Sequence, residues 1–193
     1  MSAVTVRPAR PADYPALAEL TVAAYRADGQ SRPGFAYEST LADVDSRAAA
    51  GELLVAEVAA TGRVVGGVLF VLPGSEYAEL SRPGEAEFRM LAVHPDAQRR
   101  GVGEALVRAC LERAVAHGCH SVVICTRDFA YAAQRLYQRL GFVRLPERDW
   151  SPLPGVNLLA LRLDLTGHEA AGGPAAVGDA EAVGTPGGRP VGD

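Results

Sequence analysis

"QRRGVG", residues 98–103, lies between a strand-like run, residues 86–93, and a helix-like segment that opens at Gly101. The first turn of a helix leaves backbone N–H groups without acceptors and carries a partial positive charge. Glycines in the preceding loop let a ligand approach these groups closely, and Arg99 and Arg100 add positive charge beside them. The stretch therefore predicts a binding position for a phosphate or pyrophosphate.

A short glycine motif is weak evidence by itself, because glycines that only turn the chain and arginines that only face solvent give the same pattern. Two nucleotide-binding motifs are excluded by residue identity. A dinucleotide fingerprint needs a third glycine where Leu106 stands, and a P-loop needs a lysine, which is absent from the whole sequence. A phosphate site here belongs to another class of protein.

Composition predicts one folded domain followed by a disordered tail. The chain has 193 residues with 48% hydrophobic content, enough for one sizeable core. We assign the domain to residues 1–165, because residues 166–193 are mainly glycine, alanine and proline with almost nothing large to bury. Much of the net charge of −4 lies in that tail, so the domain is nearly neutral and nucleic acid is not an expected partner.

Metal sites, disulfides and membranes are not expected. Cys110, Cys119 and Cys125 form an odd set without the spacing of a disulfide framework or a zinc site. The group of His117, Cys119 and His120 spans a helix end, where side chains diverge. No run of about 18 apolar residues occurs, and the N-terminus lacks a signal-peptide core. We therefore expect a cytoplasmic protein that binds neither metal nor membrane.

The hydrophobic patterns predict an α/β fold of the α+β kind, a mixed central sheet flanked by helices. Continuous apolar runs at residues 53–59 and 64–72, separated by the turn ATGR, predict a hairpin in the centre of the sheet. We also expect a helix from about Thr40 to Ala50 and a proline-rich loop carrying Trp150. The helix from Gly101 has one apolar stripe and should pack on the sheet with one side: Leu106, Val107, Cys110, Leu111 and Ala114.

Two spaced motifs resemble those of the GNAT family of N-acetyltransferases. Q-x-x-G-x-G, here QRRGVG after EFRMLAVHP, is similar to the family's acetyl-CoA motif, and Y-x-x-x-G-F is present as Tyr137 to Phe142. The order of the predicted elements also fits, over residues 4–165. The resemblance implies a GNAT-like acyl-CoA N-acyltransferase fold, in which the strand carrying MLAV and the strand carrying SVVICT separate to form a cofactor cleft.

The resemblance also implies acetyl-CoA as co-substrate. The pantetheine arm would pair with the main chain at the end of the MLAV strand, and the pyrophosphate would lie on the backbone N–H groups of the glycine motif. The cofactor-binding candidates are Leu91, Ala92, Val93, Gln98, Arg99, Arg100, Gly101, Val102, Gly103 and Glu104. The family often has an asparagine at the position of Ala130, and here Arg127 or Asp128 would have to compensate for it.

Glu87 and Tyr137 are the catalytic candidates. A primary amine with a pKa of about 10.4 is mostly protonated at neutral pH, and only the neutral amine attacks a thioester. Glu87 resembles the family's general base, and the alternative is a solvated glutamate with an ordered water as base. Tyr137 resembles the family's proton donor to the departing thiolate, and the alternative is a ring that only packs on the sheet. A backbone N–H near Leu91 would polarise the thioester carbonyl.

We therefore expect an enzyme of the acyltransferase class. It would be an N-acetyltransferase that moves the acetyl group of acetyl-CoA to a primary amine of a small molecule by direct attack. The alternatives are transfer of a longer acyl chain and a non-catalytic acetyl-CoA-binding module, such as a sensor or partner subunit. The expected partner is a small-molecule amine, and members of the family are frequently homodimers. Glu38, Glu76 and Glu79 are predicted to attract an amine or to solvate a loop.

Overall fold

The structure is a computed structural model that describes residues 3–34 and 36–165. Its strands are β1 (Val4–Pro8), β2 (Glu52–Val58), β3 (Val64–Val71), β4 (Glu85–Val93), β5 (Ser121–Arg127), β6 (Val143–Arg144), β7 (Trp150–Leu153) and β8 (Val156–Asp164). Its helices are α1 (Tyr14–Ala27), α2 (Tyr37–Ala42), α3 (Val44–Ala50), α4 (Val102–Ala116) and α5 (Tyr131–Arg139). The tail predicted for residues 166–193 lies outside the described residues.

The strands form one mixed sheet in the order β1–β2–β3–β4–β5–β8–β6, and β7 pairs with β8. Neighbouring strands are antiparallel except β4 and β5, which are parallel. Helices cover both faces of this sheet, so the predicted fold class is confirmed. Among the described residues, none of the helices combines the length and the hydropathy that spanning a bilayer requires.

Two hydrophobic cores lie on opposite faces of the sheet. On one face, α4 buries its predicted stripe, including Leu106 and Cys110, against strand residues such as Phe88 and Ile124. The other face is covered by α1, whose Leu17, Leu20 and Ala24 pack on Val55, Leu69 and Val71. Because side chains alternate along a strand, each strand of the centre contributes to both cores.

The pairing of β4 is interrupted on both sides near its C-terminal end. Its parallel pairing with β5 runs from Glu85–Ser121 to Glu87–Val123 and stops there. On the β3 side, Arg89 pairs with Leu69 and Ala92 with Gly67, so Met90 and Leu91 together oppose one residue of β3. This bulge has Met90 at φ 52°, a left-handed conformation that is rare outside glycine. The predicted separation of the two strands is therefore present.

Two local predictions were wrong. The single helix expected from Thr40 to Ala50 is divided into α2 and α3 at Asp43, whose side chain accepts a hydrogen bond from the Ser46 N–H and so caps α3. The expected loop around Trp150 forms β7, a hairpin partner of β8 that turns between Leu153 and Val156. Proline is tolerated in β7 because this strand pairs on one side only.

Candidate active site

A cleft of about 440 Å³ opens where β4 and β5 separate. Its walls are β4, the loop before α4 and one side of α5. Most of the predicted cofactor-binding residues line it: Leu91, Val93, Gln98, Arg99, Gly101, Val102, Gly103 and Glu104. Arg100 does not line the cleft, and Ala92 is buried in the core beneath α1. The motif and the strand end are thus brought together, as the sequence predicted.

The loop before α4 exposes backbone N–H groups at the edge of the cleft. Arg99 and Gly101 both have positive φ, 59° and 80°, and Gly101 is the N-cap of α4. Successive residues that alternate in this way form an anion-binding concavity. No side chain caps this helix end. From Arg99 to Glu104, the described side chains offer no acceptor to these amides, so the site suits an anion from outside the chain.

Gly103 keeps room for a ligand inside the first turn of α4. A Cβ at this position would lie 3.3 Å from Leu136 Cδ2 and 3.7 Å from Val93 Cγ2. The contact with Leu136 is tighter than ordinary packing, so a larger residue would push against α5 and narrow the cleft. Glycine at position 103, which the motif requires, therefore leaves the cleft its full width at this point.

Two arginines of α5, Arg135 and Arg139, also line the cleft and were not predicted. They lie four residues apart and so share one helix face. Both are exposed, as is Arg99 on the opposite wall. The cleft thus carries positive charge on both walls. The four-residue spacing of Arg135 and Arg139 was the signal in the sequence that could have predicted this shared face of α5.

Tyr137 lies at the inner end of the cleft. Its ring packs against Phe88 and Phe142 with centroid distances of 5.9 Å and 5.7 Å, and the residue is 5% exposed. Burial raises the pKa of its phenol, and the neighbouring Cys125 and Cys110 add to the rise. The ring packs as predicted, and the residue also lines the cleft, which is the position that the predicted donor role requires. The protonated phenol is a hydrogen-bond donor at any physiological pH.

Glu87 does not line the cleft, although the sequence analysis expected it to face there. It is 0% exposed, and its carboxylate accepts hydrogen bonds from the backbone N–H groups of Glu79, Leu80 and Ser81 at 3.1, 2.9 and 2.9 Å. These amides belong to the loop between β3 and β4. The carboxylate is therefore satisfied within the protein and holds the loop onto the sheet.

A second cavity, of about 200 Å³, adjoins the cleft, and Met90, Cys125 and Thr126 line both. Its outer wall is apolar, with Leu153 and Leu158 from the β7–β8 hairpin. Tyr37, Glu79, Arg89 and Arg127 also line this second cavity. It lies beyond the inner end of the cleft, where a second reactant would have to enter.

Glu79 is the one carboxylate among the residues described in the wall of the second cavity. One of its oxygens is 2.7 Å from an Arg89 nitrogen, and the side chain is 25% exposed. Burial raises the pKa of Glu79, and the charge of Glu87 also raises it, while Arg89 opposes the rise. The other two predicted acidic residues are not there, since Glu38 pairs with Arg26 and Glu76 is exposed.

Cys125 lies where the two cavities meet. Burial raises the pKa of its thiol to about 12. A thiol is a poor nucleophile unless it ionises, so this cysteine stays inert at neutral pH. Arg127 and Asp128, which were expected to compensate for Ala130, bond elsewhere. Arg127 donates to the Gly155 carbonyl, and Asp128 accepts a hydrogen bond from the Asn157 side chain.

The family described as Acetyltransferase (GNAT) family matches residues 14–142, more than half of the chain. The chain belongs to this family. It is 36% identical over 86 residues to N-acetyltransferase family 8 member 3 of Rattus norvegicus, and 38% identical over 78 residues to N-acetylaspartate synthetase of Homo sapiens. These matches cover 45% and 40% of this GNAT chain but only 36% and 26% of the two relatives.

Solved structures of GNAT proteins share the fold over most of their length. One is a histone acetyltransferase HPA2 and related acetyltransferase from Corynebacterium glutamicum, with a TM-score of 0.65 and 26% identity, covering 84% of this chain and 96% of that one. Another is a putative acetyltransferase from Salmonella typhimurium with its cofactor acetyl-CoA, with a TM-score of 0.61 and 24% identity, covering 87% and 97%.

Proposed function

We propose that this GNAT protein is an acetyl-CoA-dependent N-acetyltransferase that acetylates a small amine by direct attack. One observation supports it above others: a cleft lined by the loop amides before α4 ends at Tyr137, where it meets a second cavity. A protein that only binds acetyl-CoA needs the cleft but has no need of a second cavity at its reactive end. The names of the matched relatives also indicate nitrogen as the acceptor atom.

The residues present fit acetyl-CoA, which would supply an activated thioester. The amides from Arg99 to Glu104 would hold its pyrophosphate, with Arg135 and Arg139 adding charge from the other wall. Leu91 lies in the bulge, where it shares one opposing residue of β3 with Met90, and β5 has already separated there. Its backbone groups are therefore available to the pantetheine arm and to the thioester oxygen.

Direct attack is favoured over a covalent acetyl-cysteine route. Cys125 is the cysteine that lines the reactive end of the cleft, and with a pKa of about 12 it holds its proton. A small amine in the second cavity would instead approach the cleft past Met90 and Thr126. Formation of the new C–N bond and loss of the C–S bond then occur without an enzyme-bound acyl group.

Tyr137 would stabilise the departing thiolate as a hydrogen-bond donor. A free thiol has a pKa near 8.5, far below that of the buried phenol, whose pKa is raised by burial. Complete proton transfer from Tyr137 to the thiolate is therefore uphill, whereas hydrogen-bond donation is not. The proton that finally reaches the thiol would come from solvent through the open cleft.

Burial argues against a base role for Glu87, because the residue is 0% exposed and lines neither the cleft nor the second cavity. Three loop N–H groups also bind its Oε2 and hold the carboxylate toward the loop between β3 and β4. Removal of the ammonium proton therefore needs another group, or a water, that faces the second cavity.

The test is release of free CoA thiol with acetyl-CoA and a panel of amines, amino acids, aminoglycosides and peptide N-termini, with the product confirmed by mass. Turnover of at least one amine, with acetyl on its nitrogen, supports the proposal. Tight binding of acetyl-CoA without turnover of any amine would replace it with the non-catalytic binding module. Faster turnover with a longer acyl-CoA would correct the acyl group but keep the reaction.

A further inference from the structure

Glu79 is directed inward although its backbone lies at the surface. The residue as a whole is exposed, but only 25% of its side chain is, and the side chain lines the second cavity. One carboxylate oxygen lies 2.7 Å from Arg89. No hydrogen bond from the described residues reaches the other oxygen. A carboxylate with one free oxygen facing a cavity can bind a cation there.

The loop that carries Glu79 is fixed from two adjacent positions of one sheet face. Glu87 and Arg89 are alternate residues of β4 and so point to the same face. Glu87 accepts the N–H groups of Glu79, Leu80 and Ser81, while Arg89 donates to the carbonyl of Tyr77 at 2.9 Å. The position of the Glu79 carboxylate is therefore set before any ligand arrives.

The charges around the cavity favour one cationic group and no more. Glu79 is its single carboxylate among the described lining residues, and Arg89 neutralises part of its charge. Arg127 lines the same cavity but bonds the Gly155 carbonyl and covers the Phe129 ring at 4.7 Å. A polyamine would bring several ammonium groups to one carboxylate, and all but one would lose water without a partner.

The remaining wall and the size of the cavity restrict the body of the ligand. Leu153, Val156 and Leu158 present apolar side chains, and Tyr37 presents a ring. At about 200 Å³ the cavity is smaller than the ~300 Å³ typical of the smallest sites for drug-sized ligands. An apolar or aromatic body of modest size therefore fits, with its charged end toward Glu79 and the cleft.

We propose that Glu79 binds the acceptor ammonium and takes its proton, and that the acceptor is a small monoamine with an apolar body. The inference rests on the proposed N-acetyltransferase function. One N–H bond of the ammonium breaks, its proton joins a Glu79 oxygen, and the freed nitrogen electron pair forms the C–N bond to the thioester carbon. As the C–S bond breaks, the nitrogen loses a second proton to solvent and becomes the neutral amide nitrogen. The Glu79 proton passes to solvent after the thiolate leaves. Glu87 is then a positioning residue, which acts by holding Glu79.

The pH dependence of turnover follows from the same geometry. Only the ionised carboxylate can accept the proton, so the rate falls as the pH falls through the pKa of Glu79. Burial raises that pKa above the usual value for glutamate, and the acidic limb moves to correspondingly higher pH. The other ionisable groups that contact Glu79 or line its cavity, among the described residues, are Glu87, Arg89, Arg127, Tyr25, Tyr37 and Cys125.

The experiment compares wild type with Glu79→Gln, using phenylethylamine as the probe and Glu76→Gln as the matched control from the same loop. Glu79→Gln should lower kcat/KM for the amine by about 10²-fold or more and remove its acidic limb. Acetyl-CoA affinity, measured by calorimetry, should not change. Glu79→Asp should recover part of the rate, and Glu76→Gln should match wild type.

The outcomes separate the two proposals. If wild type acetylates phenylethylamine and Glu79→Gln does so equally well, the role of Glu79 is overturned while the N-acetyltransferase remains. If spermidine or phenylalanine is turned over much faster than phenylethylamine, the acceptor class is overturned. If wild type binds no acetyl-CoA, the proposed function fails first and this inference fails with it.

Discussion

The Glu87 carboxylate accepts a 3.1 Å hydrogen bond from the backbone N–H of Glu79. A fully buried residue of the central sheet thus fixes the position of a residue on the surface loop, eight positions earlier in the chain. Leu80 and Ser81 donate to the same carboxylate, so the loop cannot shift without breaking several charge-assisted bonds. Glu87 and the loop that carries Glu79 therefore form one structural unit.

Glu87→Gln should lower kcat/KM for the amine, because a neutral amide holds the loop amides less well and Glu79 loses its fixed position. Amide hydrogen exchange at Glu79, Leu80 and Ser81 should become faster. In a double-mutant cycle, Glu87→Gln should cause no further loss once Glu79 has been replaced by Gln. Equal losses in both backgrounds would show that Glu87 acts on the reaction by itself.

Tyr137→Phe should reduce kcat by about 10²-fold while acetyl-CoA binding stays unchanged, because the departing thiolate loses a hydrogen-bond donor. The ring contacts with Phe88 and Phe142 do not need the hydroxyl. The free energy of unfolding should therefore change by less than about 1 kcal/mol. Wild-type kcat in this variant would show that Tyr137 only packs.

Arg148→Ala should destabilise the fold by about 1–3 kcal/mol at neutral pH, because the buried Glu85 carboxylate then keeps, of its described partners, only the Arg82 N–H at 3.0 Å and Arg162 at 3.6 Å. The two side chains are 10% and 3% exposed and are joined at 2.6 and 3.1 Å. Burial raises the pKa of Glu85. Hydrogen bonds from Arg148 and from the Arg82 N–H lower it by a larger amount, so the pKa in the folded protein lies below the usual 4.5. This stabilisation is present above about pH 4.5 and is lost as the pH falls through the folded pKa.

Urea unfolding at a series of pH values measures this effect. The gap between wild type and Arg148→Ala should be largest near neutral pH and should narrow in acid, where Glu85 is protonated in both proteins. Arg108→Ala, which removes an exposed pair with Glu104 on α4, is the control and should cost less than about 0.5 kcal/mol. A gap that does not depend on pH would contradict the assignment to Glu85.

Much of the fold was predictable because its signals are local. Continuous apolar runs predicted the hairpin of β2 and β3, and an apolar stripe predicted the buried face of α4. The glycine motif predicted where the cleft opens. The break at Asp43 was missed because a cap depends on one side-chain bond inside a helical pattern. Strand β7 was missed because its prolines favour a loop and only the partner strand β8 makes it pair.

The site was predictable where backbone geometry decides it and less so where side chains meet from distant segments. Gly101 and Gly103 have the conformation and the space that the motif implies. The direction of Glu87 depends on a loop that folds back over β4, which no local pattern reports. Arg135 and Glu79 likewise reach the two cavities only through the packing of α5 and of that loop.

Calorimetric titration of wild type, Gly101→Ala and Gly118→Ala with CoA and with pantetheine tests the central claim, that the amides opening α4 hold the pyrophosphate. Both glycines have positive φ, 80° and 69°, at opposite ends of α4, so alanine strains either end by about 1–2 kcal/mol. Wild type and Gly118→Ala should bind CoA far better than pantetheine, and Gly101→Ala should lose most of that difference. Equal binding of CoA and pantetheine, or equal CoA binding by the two variants, would contradict the claim.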